Sequence, residues 1–582
     1  MALLALLALA LVAGVSGQTV PTEFSGCLPS IGISASRLSS FQVGNWTGTS
    51  SLEVLDYDPY GKLTAVVEAR NSATTPLALL ILNYADPARP VIHHRILVGN
   101  SAGEGAIVGT PNSVAVWNGY VALVLDGAPA TAPGWVRIYH MASGAKVGEV
   151  QFPGCSMPDS VKWTKDGRRL VIACEGEPAT QEVAGSDPAV DPNPVGAIGI
   201  VYVQGNGSFT PVGSACSVST FALTPKLLDF QSYINAMPND KYQSLLDRGF
   251  RIDPRLNKSS AGRDIEPEYI ALHVNPNVQA AWASLQENNA IVSIDMKYGQ
   301  ERIKTIWPLG WKNWTRSRID ASDKDGPAKL RTQPGLYSWY QPDTITHAFI
   351  AGQSYLFMAN EGDSKAESLR VKDLAGGLDP VAFPNASVKL DTELGRMTVD
   401  PLFGITGGYN ASKAWNAQGP YSRLIGYGAR SWSIFETVSG RIVYESGDGL
   451  ESLMASHPAA SLCFNCDRDK NEVDGRSDNA GPEPEAVEVF SMGNRTFAAI
   501  GLERMGGVVL YDVTNPRAPV LGGYLYNRDY AAPAATPTAQ LGDLAPEGLK
   551  FVPASESNNG KAFLIASNEV SATVSAWQLE RC

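Results

Sequence analysis

The sequence predicts an all-β chain folded as a seven-bladed β-propeller of the YVTN/WD40-like, up-and-down kind, and three observations carry that prediction. First, 56 Gly and 38 Pro punctuate short β-branched and aromatic runs, and helical periodicities are few. Second, one pattern recurs: a Pro or small residue, an acid or amide, a strand, a hairpin, a strand and a second acid. Third, the copies keep a common spacing. From first carboxylate to third-strand Asp the distance is 27 residues in both the 268–295 and the 485–512 copies. Such self-similarity is the signature of a repeat architecture, and antiparallel repeats of three or four short strands are propeller blades.

Taken in order, residues 1–17 form an apolar Leu/Ala run ending in Val15-Ser16-Gly17, read as a secretory signal peptide although no Lys or Arg opens it. Residues 18–582 are read as a single propeller domain. The repeats open at Glu53, Asn112, Asp159, Glu268, Asp343, Glu485 and Glu547. They close at Glu68, Asp126, Glu175, Glu287, Glu361, Glu503 and Glu569, each 14 to 22 residues after its opener, the length of two short strands and a turn. Third strands are expected at 77–82, 135–139, 196–203, 290–295, 508–512 and 574–579, with 432–437 assigned to the fifth repeat. Residues near 41–43 should join the last blade beside 574–579, because an open ring leaves unpaired edges. Two insertions decorate the core, at about 216–262 and 364–430. Within the first, residues 221–249 read as helical; the second is loop-rich.

The net charge is −12 with no basic cluster, which argues against nucleic acid as a partner. No other apolar span is long enough to cross a bilayer, and the C-terminus has no hydrophobic tail of the kind a lipid anchor replaces. Seven N-x-[ST] sequons, at Asn45, Asn206, Asn257, Asn313, Asn385, Asn410 and Asn494, fit a secreted, glycosylated chain. The seven cysteines suit an oxidising compartment. Cys155 precedes one opener and Cys174 abuts its closer, so they are the best disulfide pair. Cys463 and Cys466 form a local one, Cys27 and Cys582 would lock the termini, and Cys216 is left over.

The start of a blade's first strand and the end of its second lie at the same end, so openers and closers should gather at one mouth of the channel. Carboxylates this dense raise one another's pKa or demand cations. Hard oxygen donors suit Ca²⁺, and Mg²⁺ or Mn²⁺ less well. The competing reading pairs the acids with bases such as Arg70, Arg263, Arg476 and Arg504. Asp467, Asp469 and Asn471 imitate an EF-hand start, but Glu472 replaces the required glycine. Residues 99–103 match G-x-S-x-G without the strand–helix setting a nucleophile elbow needs. His273 and His347 sit in strand runs and read as structural.

Four stretches carry a resemblance: RDIEPEYIAL with LQENNAIVSID (263–295), the DKDG…QPDTI…MANEGDSK series (323–365), GRSDNAGPEPEAV (475–487), and LAPEGLKFV with ASNEVSATVSAWQL (544–579). They resemble the choice-of-anchor I proteins, whose animal members include mesenchyme-specific cell surface glycoproteins associated with calcified skeletons and shells. The resemblance implies a secreted or surface-attached propeller, some members being described as phosphatase- or phytase-like. It places Glu266, Glu268, Glu287, Asp343, Glu361, Asp363, Glu483, Glu485 and Glu547 on the functional face as metal-ligand candidates. Two function classes stay open. One is a calcium-binding extracellular matrix or surface glycoprotein that meets matrix proteins or glycans and handles mineral ions. The other is a metal-dependent phosphoesterase, which needs a cation such as Arg263, Lys365 or Arg476 converging on the metals to hold phosphate.

Overall fold

A computed structural model describes residues 25–43, 52–69, 76–176, 194–205, 220–365 and 367–582. The signal-peptide segment, Arg70, Cys216, Asn45 and Asn206 lie outside the described residues. The chain is all-β with few helices, built of antiparallel sheets in which consecutive strands are neighbours. One sheet shows the plan: Pro267–Leu272, Ala280–Leu285, Ala290–Asp295 and Arg302–Pro308 lie side by side. Four-stranded sheets of this order begin at Leu55, Val108, Pro158, Pro267 and Pro484. A sixth, begun at Ile345, takes its third and fourth strands from Ser431–Glu436 and Arg441–Glu445, across the long insertion.

The first strands of successive sheets pack against each other in chain order, and that of the last sheet packs against that of the first. This is the packing of a β-propeller. Separate apolar clusters fill the spaces between adjacent sheets. For example, Leu79, Ile81 and Val121 fill the first interface, and Leu82, Phe563 and Val574 fill the closing one. Second strands are therefore covered on both faces and read as unbroken buried runs, as in Leu63–Glu68 and Ala562–Asn568. Fourth strands form the rim; Val91–Leu97 is mostly exposed.

The last sheet closes the ring with both chain ends. Ile33–Gln42 pairs antiparallel with Thr573–Arg581, with Phe41 opposite Val574, as the edge-pairing expectation required. Val43 extends it by donating its N–H to the Ala572 carbonyl at 3.0 Å. A Cys27–Cys582 disulfide ties the two ends, and Cys155–Cys174 and Cys463–Cys466 are also bonded.

One expectation is corrected. Residues 221–229 are not helical: Phe221–Asp229 is the fourth strand of its sheet, paired along Ala197–Gly205. An edge strand satisfies its backbone on one side and tolerates Pro225, so sheet pairing wins over the helical spacing of the leucines. The helices start where Asp229 caps the Ser232 N–H at 2.7 Å, and run Phe230–Ala236 and Asn239–Asp247. The 364–430 insertion is also more than loop. With residues from 314 onward it builds its own core around Trp314, Leu394 and Tyr421, and Leu424–Gly426 pairs with Leu336–Ser338. No helix among the described residues is long and apolar enough to cross a membrane.

Candidate metal centre at the channel mouth

The repeat's Pro–acid start has a structural cause. In the sheets opened by Asn112, Asp159, Glu268, Glu485 and Glu547, the pairing of first and second strands slips by one residue at the opener. Pro267 faces Leu285 and Ile270 faces Ala283, for instance, so an extra residue is accommodated between them. That is a β-bulge, which re-aims a side chain, and the proline suits the site because it donates no ladder hydrogen bond. Before three of these prolines the chain turns through left-handed backbone, at Met157 (φ 46°), Glu483 (45°) and Ala545 (59°), and it does so too at Gln341 (48°), before the Pro342 that precedes Asp343.

The openers consequently converge. All seven, from Glu53 to Glu547, line a chamber of about 250 Å³ at one end of the channel. Glu175, Glu287, Glu361 and Asp363 line it too, and among the described residues no Lys or Arg does. The carboxylate oxygens of Asp343, Glu361 and Glu485 approach within 4.8 Å of one another, as do those of Glu361, Glu483 and Glu503.

The other closers stand outside the chamber lining, one strand farther from the axis. Glu68 faces Arg95 at 3.5 Å, Asp126 accepts from Thr110 and Asn112, and Arg468 bridges Glu503 and Glu569 at 2.7 and 2.8 Å. The expected gathering of every opener and closer at one mouth is therefore met by the openers and by only part of the closers.

Two metal-ligand candidates are tied to cations instead. Glu266 is ion-paired with Lys365, which also lies 3.8 Å from Asp264. Glu483 is held between Arg476 and Arg504. Burial alone would raise its pKa, but the two guanidinium groups outweigh burial and hold it below the ordinary range. Lys365 and Arg476, two of the phosphate-binding candidates, are thus engaged by acids. Arg263 lies in the short 3₁₀ turn Ala261–Asp264, away from the chamber lining.

The chamber's own acids behave in the opposite way. Burial, and then repulsion from Glu569 and Asp159, pushes Glu53 up to about 8. Burial, and then Asp343 and Asp126, pushes Asp159 up to about 7. Glu268, Glu287, Glu361, Glu485 and Glu547 are raised well above the carboxylate range by burial first and by neighbouring acids second. Carboxyl–carboxyl hydrogen bonds join Asp343 to Glu485 and Asp159 to Glu268. Glu287 Oε2 and Glu485 Oε2 accept no hydrogen bond. Such a set takes up either protons or cations, and its all-oxygen donors suit Ca²⁺, whose ligands at 2.3–2.6 Å span roughly 5 Å across the ion.

The far end of the channel carries a second cavity, which the sequence reading missed. It measures about 350 Å³ and is lined by Lys162, Lys165 and Lys550 together with Asp56, Glu488 and Glu547 among apolar side chains, and Tyr269 and Glu547 border both cavities. Lys550 pairs with Asp56 at 2.7 Å, and Lys162 donates to the Tyr269 hydroxyl at 3.2 Å. The signal was a Lys at the outer end of two first strands.

Other motifs take structural roles. Ser101 of the G-x-S-x-G match accepts the Leu77 N–H at 2.7 Å within a 3₁₀ turn. His347 stacks on Trp282 at 4.9 Å. Asn471 of the EF-hand-like run anchors the Asp529 and Ala532 carbonyls. Asn257, Asn385, Asn410 and Asn494 are exposed, as glycan acceptors must be, and Asn313 is half-buried.

The family model of the choice-of-anchor I domain matches residues 53–516. The mesenchyme-specific cell surface glycoprotein of Strongylocentrotus purpuratus is 26% identical over 239 residues, 36% of this chain and 30% of that protein, so the match spans less than a third of the relative's length. Gigasin-3a of Magallana gigas is 24% identical over 205 residues, 33% of this chain and 67% of that protein. Among solved structures, the RRP9 WD40 repeats superpose with a TM-score of 0.40 at 8% identity, covering 94% of this chain and 97% of that one. The periplasmic gluconolactonase of Pseudomonas aeruginosa does so at 0.38 and 12%, covering 91% of each chain.

Proposed function

This chain belongs to the choice-of-anchor I family, and from that premise we propose that it is a secreted or cell-surface, calcium-binding glycoprotein built as a seven-bladed β-propeller. One observation carries the reading: Asp343, Glu361 and Glu485 present oxygens within 4.8 Å of one another in the wall of a chamber lined chiefly by acids and, among the described residues, by no Lys or Arg. Three disulfides and four exposed sequons support an extracellular setting, as does the surface glycoprotein among its relatives. A role in the extracellular matrix, handling mineral ions, follows from that setting and from a Ca²⁺-holding mouth.

The alternative, a metal-dependent phosphoesterase, has less support. It calls for a cation facing the metals, whereas Lys365 and Arg476 are bound to Glu266 and Glu483.

Calorimetry on the chelator-stripped protein tests the proposal, alongside a Glu361→Gln/Glu485→Gln variant. We expect saturable Ca²⁺ binding that the variant loses. A wild-type protein that binds no Ca²⁺ sinks the proposal. Ca²⁺-dependent hydrolysis of an aryl phosphate, abolished in the variant, would favour the phosphoesterase instead.

A further inference from the structure

The second cavity, at the far end of the channel from the acids, is walled by the first strands of the sheets. Its volume of about 350 Å³ lies at the small end of cavities that enclose ligands, roughly 300–1,000 Å³. Apolar and aromatic side chains supply much of the wall, among them Trp117, Trp163, Leu272, Ile345, Val487 and Leu549. Trp117 stacks on Trp163 with ring centres 5.7 Å apart. His273 and His347 add neutral rings, because burial pulls both below the ordinary imidazole range, His347 to about 3. Each Nδ1 accepts a backbone N–H, from Asn275 at 3.0 Å and from Val274 at 3.1 Å.

Three lysines line the cavity, and they are not alike. Lys550 pairs with Asp56 at 2.7 Å, and against burial Asp56 and then Glu488 hold it above its ordinary range. The acids are engaged in turn: Asp56 accepts the Tyr57 and Val116 N–H groups at 2.9 and 2.8 Å, and Glu488 accepts that of Phe551 at 3.1 Å. Lys165 donates to the Val274 carbonyl at 2.5 Å. Lys162 differs from both. Among the described residues it forms no ion pair, and its one hydrogen bond goes to the Tyr269 hydroxyl at 3.2 Å, with the ammonium 4.4 Å from the centre of that ring. Burial pulls Lys162 down to about 8, although Asp56, Glu488 and Asp159 act to raise it and only Lys550 sides with burial. An ammonium carries three donors, so two of those on Lys162 meet no protein acceptor.

We propose that this cavity binds a small aromatic carboxylate, its anionic end on the Lys162 ammonium and its ring among the apolar side chains of the first strands. A buried cation without a counter-ion is costly, and an anion at Lys162 removes that cost while taking up its two remaining donors. Net charge selects the same class. Lys162, Lys165 and Lys550 against Asp56 and Glu488 leave one positive charge. Glu547 adds none, because burial and then Glu53 raise it well above the carboxylate range. One surplus charge and one unpaired ammonium suit a carboxylate; a phosphate dianion calls for more donors than Lys162 has left. The paired indoles and the neutral imidazoles then favour a flat ring, which packs on aromatic neighbours by face and edge contacts. Calcium at the opposite mouth plays no part in this site.

The test is calorimetric titration of the full-length protein at pH 7 with 2-naphthoate, with its neutral isostere 2-naphthamide and with inorganic phosphate. One equivalent of naphthoate should bind, and the amide should bind about tenfold more weakly or worse, the share of a charge-assisted hydrogen bond. Lys162→Met keeps the length of the side chain without its charge, and it should weaken naphthoate by a similar factor while leaving the amide unchanged. No binding of naphthoate by the wild type overturns the inference, as does equal affinity for acid and amide. Phosphate that binds as tightly as naphthoate overturns the aromatic class. If Lys162→Met does not fold, acetylation of wild-type lysines by acetic anhydride, mapped by mass spectrometry, decides: naphthoate should slow modification of Lys162 severalfold and leave exposed lysines unaffected, and an unprotected Lys162 overturns the inference.

Discussion

Replacing Glu361 and Glu485 by Gln should strengthen the calcium-free protein while removing its response to calcium. Glu361 is raised well above its ordinary range by burial and then by Glu503 and Asp343, and Glu485 by burial and then by Glu361 and Asp343, so the folded state favours their protonated forms. Holding one carboxyl protonated three pH units above the unperturbed value of 4.5 costs at most about 4 kcal/mol, at 1.36 kcal/mol per unit. Gln needs no proton, but it brings two amide hydrogens into a crowded wall, so we expect about half of that bound to be recovered for the pair, roughly 4 kcal/mol. For a chain of 582 residues the unfolding entropy near the midpoint is on the order of 1.2 kcal/mol per degree, which places the variant about 3 °C above wild type in EDTA. Calcium at one hundred times Kd stabilises the wild type by about 2.7 kcal/mol, roughly 2 °C, and leaves the variant's midpoint unchanged. The sign with pH is fixed as well. A raised carboxyl destabilises the fold increasingly as pH climbs above 4.5, so the variant's advantage in EDTA should shrink when the scan is repeated at pH 5.5. Scanning calorimetry of both proteins, with EDTA and with Ca²⁺, reads all of this. A variant that melts below wild type in EDTA and gains as much from Ca²⁺ would show that these acids only cap turns.

Three further outcomes are expected. Lys365→Met leaves Glu266 buried without its cation and should cost about 3–5 kcal/mol in denaturant unfolding, most of it restored by adding Glu266→Gln; a loss confined to ligand binding would return Lys365 to the phosphate-binding role. Cys27→Ser opens a covalent loop spanning 555 residues and should lower stability by up to about 5 kcal/mol, and an unchanged midpoint would mean that the Ile33–Gln42 pairing closes the ring unaided. Ala351 and Gly352 form an exposed two-residue hairpin turn with φ of 50° and 82°, where Asn is preferred to Ala. Ala351→Asn should therefore stabilise by about 1 kcal/mol, and a destabilised variant would refute the turn assignment.

What could be read from the sequence follows how each strand is buried. Second and third strands lie between two neighbouring sheets, so they are continuous apolar runs such as Ala562–Asn568, and the acids that bound them stand out. Fourth strands form the rim. Val91–Leu97 carries two histidines and an arginine and is largely exposed, so its composition resembles loop, and Phe221–Asp229 looked helical for the same reason. The chamber was legible because its residues repeat. All seven openers were found from one recurring acid–strand–strand–acid pattern, and all seven line it.

The partition of the acids was not legible, because sequence spacing places backbone and says nothing about which cation reaches which carboxylate. Glu266 and Glu268 are two residues apart, yet the first faces Lys365, brought in by the insertion, and the second faces the chamber. The difference arises at the bulge. Pro267 starts the strand and the register slips just after it, so Glu268 turns inward to the axis. Glu266 stays with the preceding 3₁₀ segment and is fixed there when Asn288 Oδ1 accepts its N–H at 3.0 Å. Glu483 and Glu485 divide in the same way around Pro484, the first going to Arg476 and Arg504 and the second to the chamber. An E-P-E stretch therefore encodes two acids of opposite fate: one neutralised by a fixed cation and holding the chain, the next turned into the chamber wall. Removing the proline's constraint tests this directly. Pro484→Ala restores a donor at the bulge, and if the division depends on the bulge, Ca²⁺ affinity should fall while the Arg476–Glu483–Arg504 contacts persist; affinity equal to wild type would assign the turning of Glu485 to the rest of the sheet.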